Sequence, residues 1–265
     1  MIKQIDIEID GIDYTLPEYI TVTHYGEMMR RMSLSETATE QAYDIIGVLL
    51  NIPYQVLREI DPEQLADLSV YLQHKVTSCD GGYVPSFTHK DVKYVGLNFN
   101  KITFGEYVDV VNLIKTDISI YMNIHKIAAL LYRPEVDGNI APYDIDAHEL
   151  QSELFKDLPL QYFFGIFSNL FAFLTQMKKD FVVLFGEEED EDGPKQPKEE
   201  TDEDAEQSNL PYYKMIMVLA SEDFTKIDYV TSRPLVECFN HLTYIKIKIE
   251  EQKQQLLKQQ NKMNL

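Results

Sequence analysis

The chain has 265 residues, 45% hydrophobic and without Trp, and 24 Lys and Arg against 44 Asp and Glu give a formal net charge of −20. This balance excludes a general binder of nucleic-acid backbones, which needs clustered Lys and Arg, and suits a chain that repels its own copies or meets a basic partner. Cys79 and Cys238 alone make no disulfide framework and point to a reducing compartment, and MIKQIDIEIDG at the start has no apolar signal core.

"IDIEIDGIDYTL" places Ile5, Ile7 and Ile9 in alternation with acids, turns at Asp10-Gly11, and continues through Ile12, Tyr14 and Leu16. It reads as a β-hairpin that needs helices to pack on. After Pro17 the period becomes helical. Thr23 is expected to cap a helix carrying Tyr25, Met28, Met29 and Met32. A second helix is expected to open near Ser35, with Ala38-Thr39-Glu40 close by. Its apolar positions are Ala42, Ile45, Ile46, Leu49 and Leu50, and Pro53 ends it. A short helix is expected over Tyr54–Glu59. Another starts at Asp61-Pro62-Glu63 and runs through Leu65, Leu68 and Leu72 to about His74. Cys79 to Pro85, CDGGYVP, breaks the pattern, and "FTHKDVKYVGLNF" predicts a pair of short strands.

Helical spacing returns with ITFGEYVDVVNLI and brings a repeat. Ile20-Thr21-Val22-Thr23-His24-Tyr25 matches Ile102-Thr103-Phe104-Gly105-Glu106-Tyr107, and Ile46-Gly47-Val48-Leu49-Leu50 matches Ile127-Ala128-Ala129-Leu130-Leu131. Pro53 matches Pro134 at nearly the same offset. The pattern predicts a duplicated unit whose first two helices overlay, with Ile46, Leu49, Leu50, Ile127, Leu130 and Leu131 in equivalent core positions.

From Asp146 to Phe185 the chain is strongly helical, with Gly186 ending it. Leu158 to Leu174 is apolar but interrupted by Pro159, Gln161, Ser168 and Asn169. It is shorter than the roughly 20 residues a membrane span needs and reads as a core helix. Glu187 to Gln207 holds 12 acids and two lysines and has too little apolar surface to fold. Helices are expected over about Pro211–Ala220, over Ser221–Tyr229, and from Arg233-Pro234 to about Gln259. The fold class is therefore mainly α: a helical bundle of two repeated helical units with a small N-terminal β-hairpin and a few short strands. Its parts are 1–84, 85–186, an acidic disordered linker at 187–208, and C-terminal helices at 209–265 that pack on the body.

No phosphate loop, nucleophile elbow, HExxH or EF-hand loop is present. Cys79, Cys238 and His241 with His74 and His89 lack the paired spacing of a zinc site. Cys79 has no basic neighbours that would make it a nucleophile. Glu106, Asp109 and Asp117 read as solvent-facing helix acids and His125 as a helix-edge histidine. Arg133 is expected to bridge an acid or cap helix carbonyls. No catalytic residue, cofactor or metal is assigned.

The stretch Leu97 to Pro134, "LNFNKITFGEYVDV…NIHKIAALLYRP", resembles tailed-bacteriophage tail assembly chaperones and related small virion-morphogenesis proteins. "YYKMIMVLASEDFTKIDYVTSRPLVECFNHLTYIK" is similar to the later helical part of the same group. The likeness covers about the last two thirds of the chain; the N-terminal hairpin, the first half-repeat and the acidic stretch depart from it. It implies a non-enzymatic chaperone or adaptor in the host cytoplasm. Its partner would be a helical, aggregation-prone virion protein such as a tape measure, bound during particle assembly. The alternative is a structural virion component (ring, connector or internal cargo) kept in the mature particle. Self-association is a further expectation; nucleic acid and membrane are not expected partners. Phe163, Phe164, Phe167, Phe171 and Phe173 cannot all share one face of a helix. Together with Phe239, Leu242 and Ile245 of the last helix they form the expected partner-binding surface.

Overall fold

The computed structural model describes residues 6–9, 11–15, 17–58, 60, 65, 68, 70, 82–115, 117–186 and 202–263. Among them are eleven α-helices and six short strands, the mainly α fold expected. Contacts divide the chain into two compact units. The first takes Met1–Leu97 and Leu113–Asn169, and the second takes Asn98–Asn112 and Leu170–Leu265. Each unit therefore draws on two separated stretches of sequence, whereas the expected division followed chain order.

In the first unit, β1 (Asp6–Ile9) and β2 (Ile12–Thr15) form the expected antiparallel hairpin, turning at Gly11 with φ +73°. Tyr14 is half-buried and Ile12 is exposed. Helix α1 (Val22–Met32) starts two residues earlier than the sequence suggested. Thr21 is its cap: the hydroxyl accepts the His24 N–H at 3.0 Å, and His24 Nδ1 faces the Thr21 N–H at 3.5 Å. Helix α2 (Ala38–Leu50) has a Thr37–Glu40 capping box and ends at Asn51, whose φ of 53° is left-handed. Asn51 thus stops the helix, and Pro53 instead opens the four-residue α3 (Tyr54–Leu57). Most of the helix expected over 61–74 lies outside the described residues; Leu65, Leu68 and Val70 are helical, the two leucines buried.

β3 (Ser86–His89) and β4 (Val92–Gly96) pair as expected through Lys90 and Asp91, both at positive φ. Two further strands were unforeseen in the sequence: β5 (Tyr132–Val136) follows α5 (Asp117–Leu131) directly, and with β6 (Asn139–Ile140) it completes the antiparallel order β3-β4-β5-β6. Pro134 is therefore a strand residue, opposite Tyr94. α5 ends because Gln151 of α6 (Ile145–Phe155) donates from Nε2 to the carbonyls of Ala129, at 3.0 Å, and of Tyr132. Gln151 thus caps carbonyls at the end of α5. Arg133 lies over the Tyr143 ring at 5.8 Å and donates to the Ala141 carbonyl at 3.5 Å.

α5 packs on α1 and on α6. Gly26 makes the α1 crossing close, because a Cβ there would sit 2.6 Å from the Tyr121 carbonyl oxygen. The core of this unit is aromatic. Phe87 stacks on Tyr94 at 5.4 Å and on Tyr162 at 5.0 Å, and Tyr132, Phe155 and Phe163 close around it. The Tyr132 hydroxyl, 2.5 Å from the Val84 carbonyl and 3.0 Å from that of Tyr162, is satisfied inside the core. Ile46, Leu49, Leu50, Ile127, Leu130 and Leu131 are all buried, as expected.

The second unit contains α4 (Phe104–Leu113), α8 (Val182–Phe185), α9 (Asp202–Leu219), α10 (Ile227–Thr231) and α11 (Leu235–Met263). Helix α7 (Phe164–Asp180) begins in the first unit and continues in the second. Helix α9 begins at Asp202, within the stretch expected to be linker. Residues 187–201 lie outside the described residues. Pro211 falls inside α9 rather than at its start.

The two units share one local crossing, not the duplicated unit expected. In the first unit Thr21 bridges Pro159; the Val22 N–H donates to the Leu158 carbonyl at 3.1 Å, and the Leu160 N–H to that of Ile20 at 2.9 Å. In the second, Thr103 bridges Pro234; the Phe104 N–H donates to the Arg233 carbonyl at 2.9 Å, and the Leu235 N–H to that of Ile102 at 3.0 Å. Tyr25 meets Phe164 edge-on at 5.7 Å, and Tyr107 meets Phe239 edge-on at 5.2 Å. Each unit is thus nailed by an Ile-Thr helix start crossing a Pro-Leu helix start. Beyond that start the chain paths of 20–75 and 102–175 differ, so the first two helices are not equivalent as expected. Leu50 leads into a left-handed cap and Leu131 into a strand, and α5 belongs to the first unit although α4 belongs to the second.

Candidate partner-binding surface

The eight residues expected to form a binding surface are distributed over both units. Phe163, Phe164 and Phe167 belong to the first. Phe163 is fully buried against Phe155 and Tyr132, while Phe164 and Phe167 are half-buried. Phe171, Phe173, Phe239, Leu242 and Ile245 belong to the second. Phe239 is the centre of that unit's core, with Phe104, Tyr107, Phe181 and Phe185 around it at 5.1–5.8 Å. Phe163, Phe239 and Leu242 are therefore core residues and cannot contact a partner directly. The reason is the crossed helix starts: the Pro-Leu turn delivers the residues just after it inward. Phe173 is half-buried and stacks on Phe99 at 5.1 Å. Ile245 is half-buried, and Phe171 is 42% exposed.

The larger uncovered apolar set lies on α11. Tyr244, Ile247, Ile249, Leu256 and Leu257 are all exposed, Leu256 by 58%. Sequence reasoning passed over them because Lys, Glu and Gln dilute the apolar residues there. The missed signal is spacing: Leu235, Leu242, Ile249 and Leu256 recur every seven residues. Elsewhere in the second unit Phe224 and Tyr229 are also exposed.

The titratable groups have structural settings. Cys238 is buried, with Sγ 3.9 Å from the Val230 carbonyl, and burial pushes its thiol up to about 11, the reverse of an activated nucleophile. Glu106, expected in solvent, is buried: its carboxylate accepts the Thr103 N–H at 2.7 Å while Thr103 Oγ1 accepts the Glu106 N–H at 3.3 Å. Capping thus draws this acid inward. Asp109 is half-buried, and the side chain of Asp117 is outside the described set. Burial pushes the His125 imidazole down to about 4. Buried His148 sits 2.8 Å through Nε2 from the Lys126 carbonyl. Cys79 and His74 lie outside the described residues. Among the described residues no three His, Cys, Asp or Glu side chains are grouped to hold a metal, and no helix is long and apolar enough to cross a membrane.

Compared with known protein families, curated proteins and solved structures, the chain matches none.

Proposed function

We propose that the protein is a non-enzymatic assembly chaperone or adaptor of tailed-phage morphogenesis that holds a helical, aggregation-prone virion protein such as a tape measure. The observation that carries this reading is the set of exposed apolar side chains on helices of the second unit, Phe171 on α7 and Tyr244, Ile247, Ile249, Leu256 and Leu257 on α11, with Ile249 and Leu256 on one face of α11. Surfaces of that kind serve contacts with other chains. The likeness of Leu97–Pro134 to tail assembly chaperones supplies the context. The net charge of −20 supports it, since it disfavours clumping while apolar surface is uncovered.

Mass spectrometry of purified particles, with affinity capture from infected cells, tests the proposal. A chaperone is absent from the particle and is captured with one virion protein. Presence in the particle at fixed copy number replaces the chaperone with a structural component. Capture that is unchanged by Phe171→Ser and Leu256→Ser places the binding surface elsewhere.

A further inference from the structure

Helix α11 carries one apolar seam with two different fates. In heptad terms Leu235, Leu242, Ile249 and Leu256 hold one seam position; Cys238, Ile245, Gln252 and Gln259 hold the other. Leu235, Cys238 and Leu242 are buried within the second unit. From Lys246 to Asn261 every residue is exposed, yet the seam continues through Ile249 and Leu256. The eighteen residues from 246 to 263 make about 27 Å of helix.

The charge around the uncovered seam is distinctive. This stretch carries Lys246, Lys248, Lys253, Lys258 and Lys262 against Glu250 and Glu251, a local excess of cations in a chain of net charge −20. Helical spacing sets Lys246 and Lys253 along one border of the seam and Lys248 along the other. Glu250 and Glu251 fall on the outer face, away from the seam.

We infer that the exposed half of α11 docks an acidic amphipathic α-helix of another protein. Apolar residues of that helix would pack on Ile245, Ile249 and Leu256, and its carboxylates would border Lys248 and Lys253. This names the chemistry of the partner in the function proposed above and rests on that reading. A second copy of the chain is the poorer occupant. In a parallel pair Lys248 would oppose Lys253; in an antiparallel pair each border would face its own lysines. The chain's own acidic stretch is also poorer, because Glu187–Thr201 has no apolar side chain besides Pro194 and Pro197 to fill the seam. Gln252 and Gln259 give a register-setting polar contact that a partner side chain can match.

The test is a titration of the full chain with two synthetic four-heptad helices, both with Leu along the seam, one bordered by Glu and the other by Lys. The acidic helix is expected to bind at least about tenfold more tightly. Leu256→Ser should weaken it by about tenfold or more, with circular dichroism unchanged because the residue is exposed. The double variant Lys248→Glu with Lys253→Glu should prefer the basic helix, a gain that misfolding cannot produce. Equal binding of both helices, binding of neither, or indifference to Leu256→Ser overturns the inference. A dimer in sedimentation that Leu256→Ser disperses also overturns it, placing a second copy in the seam. The titration uses no virion component. Binding of the acidic helix by a protein found in particles therefore sinks only the chaperone reading, and no binding by a protein absent from them sinks only this inference.

Discussion

His125 shows how one side chain couples this fold to pH. Burial lowers its imidazole to about 4, with Lys156 and Lys126 adding to the effect and Glu153 opposing it. The ordinary value is 6.5, so between those values the unfolded chain binds more protons than the folded one. The contribution of His125 is complete above pH 6.5 and is lost as pH falls toward 4. Burial also depresses His24, against the opposing charge of Asp157, and acts in the same direction. Glu27, held down to about 2 first by its hydrogen bond from Arg30, loses its contribution only at still lower pH. In urea titrations the wild type should therefore lose about 1 kcal/mol more than His125→Gln between neutral pH and pH 4.5, a figure reduced for partial exposure of the ring. Parallel curves for the two proteins would mean that the imidazole is solvated and titrates normally.

At the scale of the element, the two units share a helix start but not its strength. Both Thr21 and Thr103 cap a helix and bridge a proline. In the second unit the reciprocal partner is the buried carboxylate of Glu106, 2.7 Å from the Thr103 N–H; in the first it is His24 at 3.5 Å. The Glu106 bond is the shorter of the two, and its acceptor is buried, where a lost partner costs most. Glu106→Ala should therefore cost about 1–3 kcal/mol, more than His24→Ala, by denaturant unfolding. Equal costs would mean that the Thr–Pro crossing alone holds these helix starts. Gly105 fits the same picture: a Cβ there would lie 3.1 Å from the Thr231 side chain, so α4 and α10 meet closely where Thr23 in the first unit instead donates to the Lys156 carbonyl.

At the scale of the whole chain, the units interleave in sequence, and this limits how it can be cut. The second unit needs Ile102–Phe104 to complete its crossing with Arg233–Leu235. The fragment 170–265 should show little cooperative unfolding alone and gain it when a synthetic peptide of residues 98–112 is added. Cooperative unfolding of the fragment by itself would show that the crossing is dispensable. The interleaving also marks how far local pattern could carry. Alternation around Asp10-Gly11 was enough for the hairpin, because two-residue turns and period-two burial are local properties. The buried leucines of α2 and α5 were legible for the same reason, as was the likeness of the helix starts at Ile20 and Ile102. Strand β5 was not, because "LLYRP" continues a helical pattern and only pairing with β4 and the carbonyl contacts of Gln151 make it leave the helix. Phe163 and Phe239 are as aromatic as Phe171, and sequence alone does not separate them. Their burial follows from Pro159 and Pro234 each meeting a threonine more than a hundred residues earlier, a contact between distant segments that no local periodicity encodes.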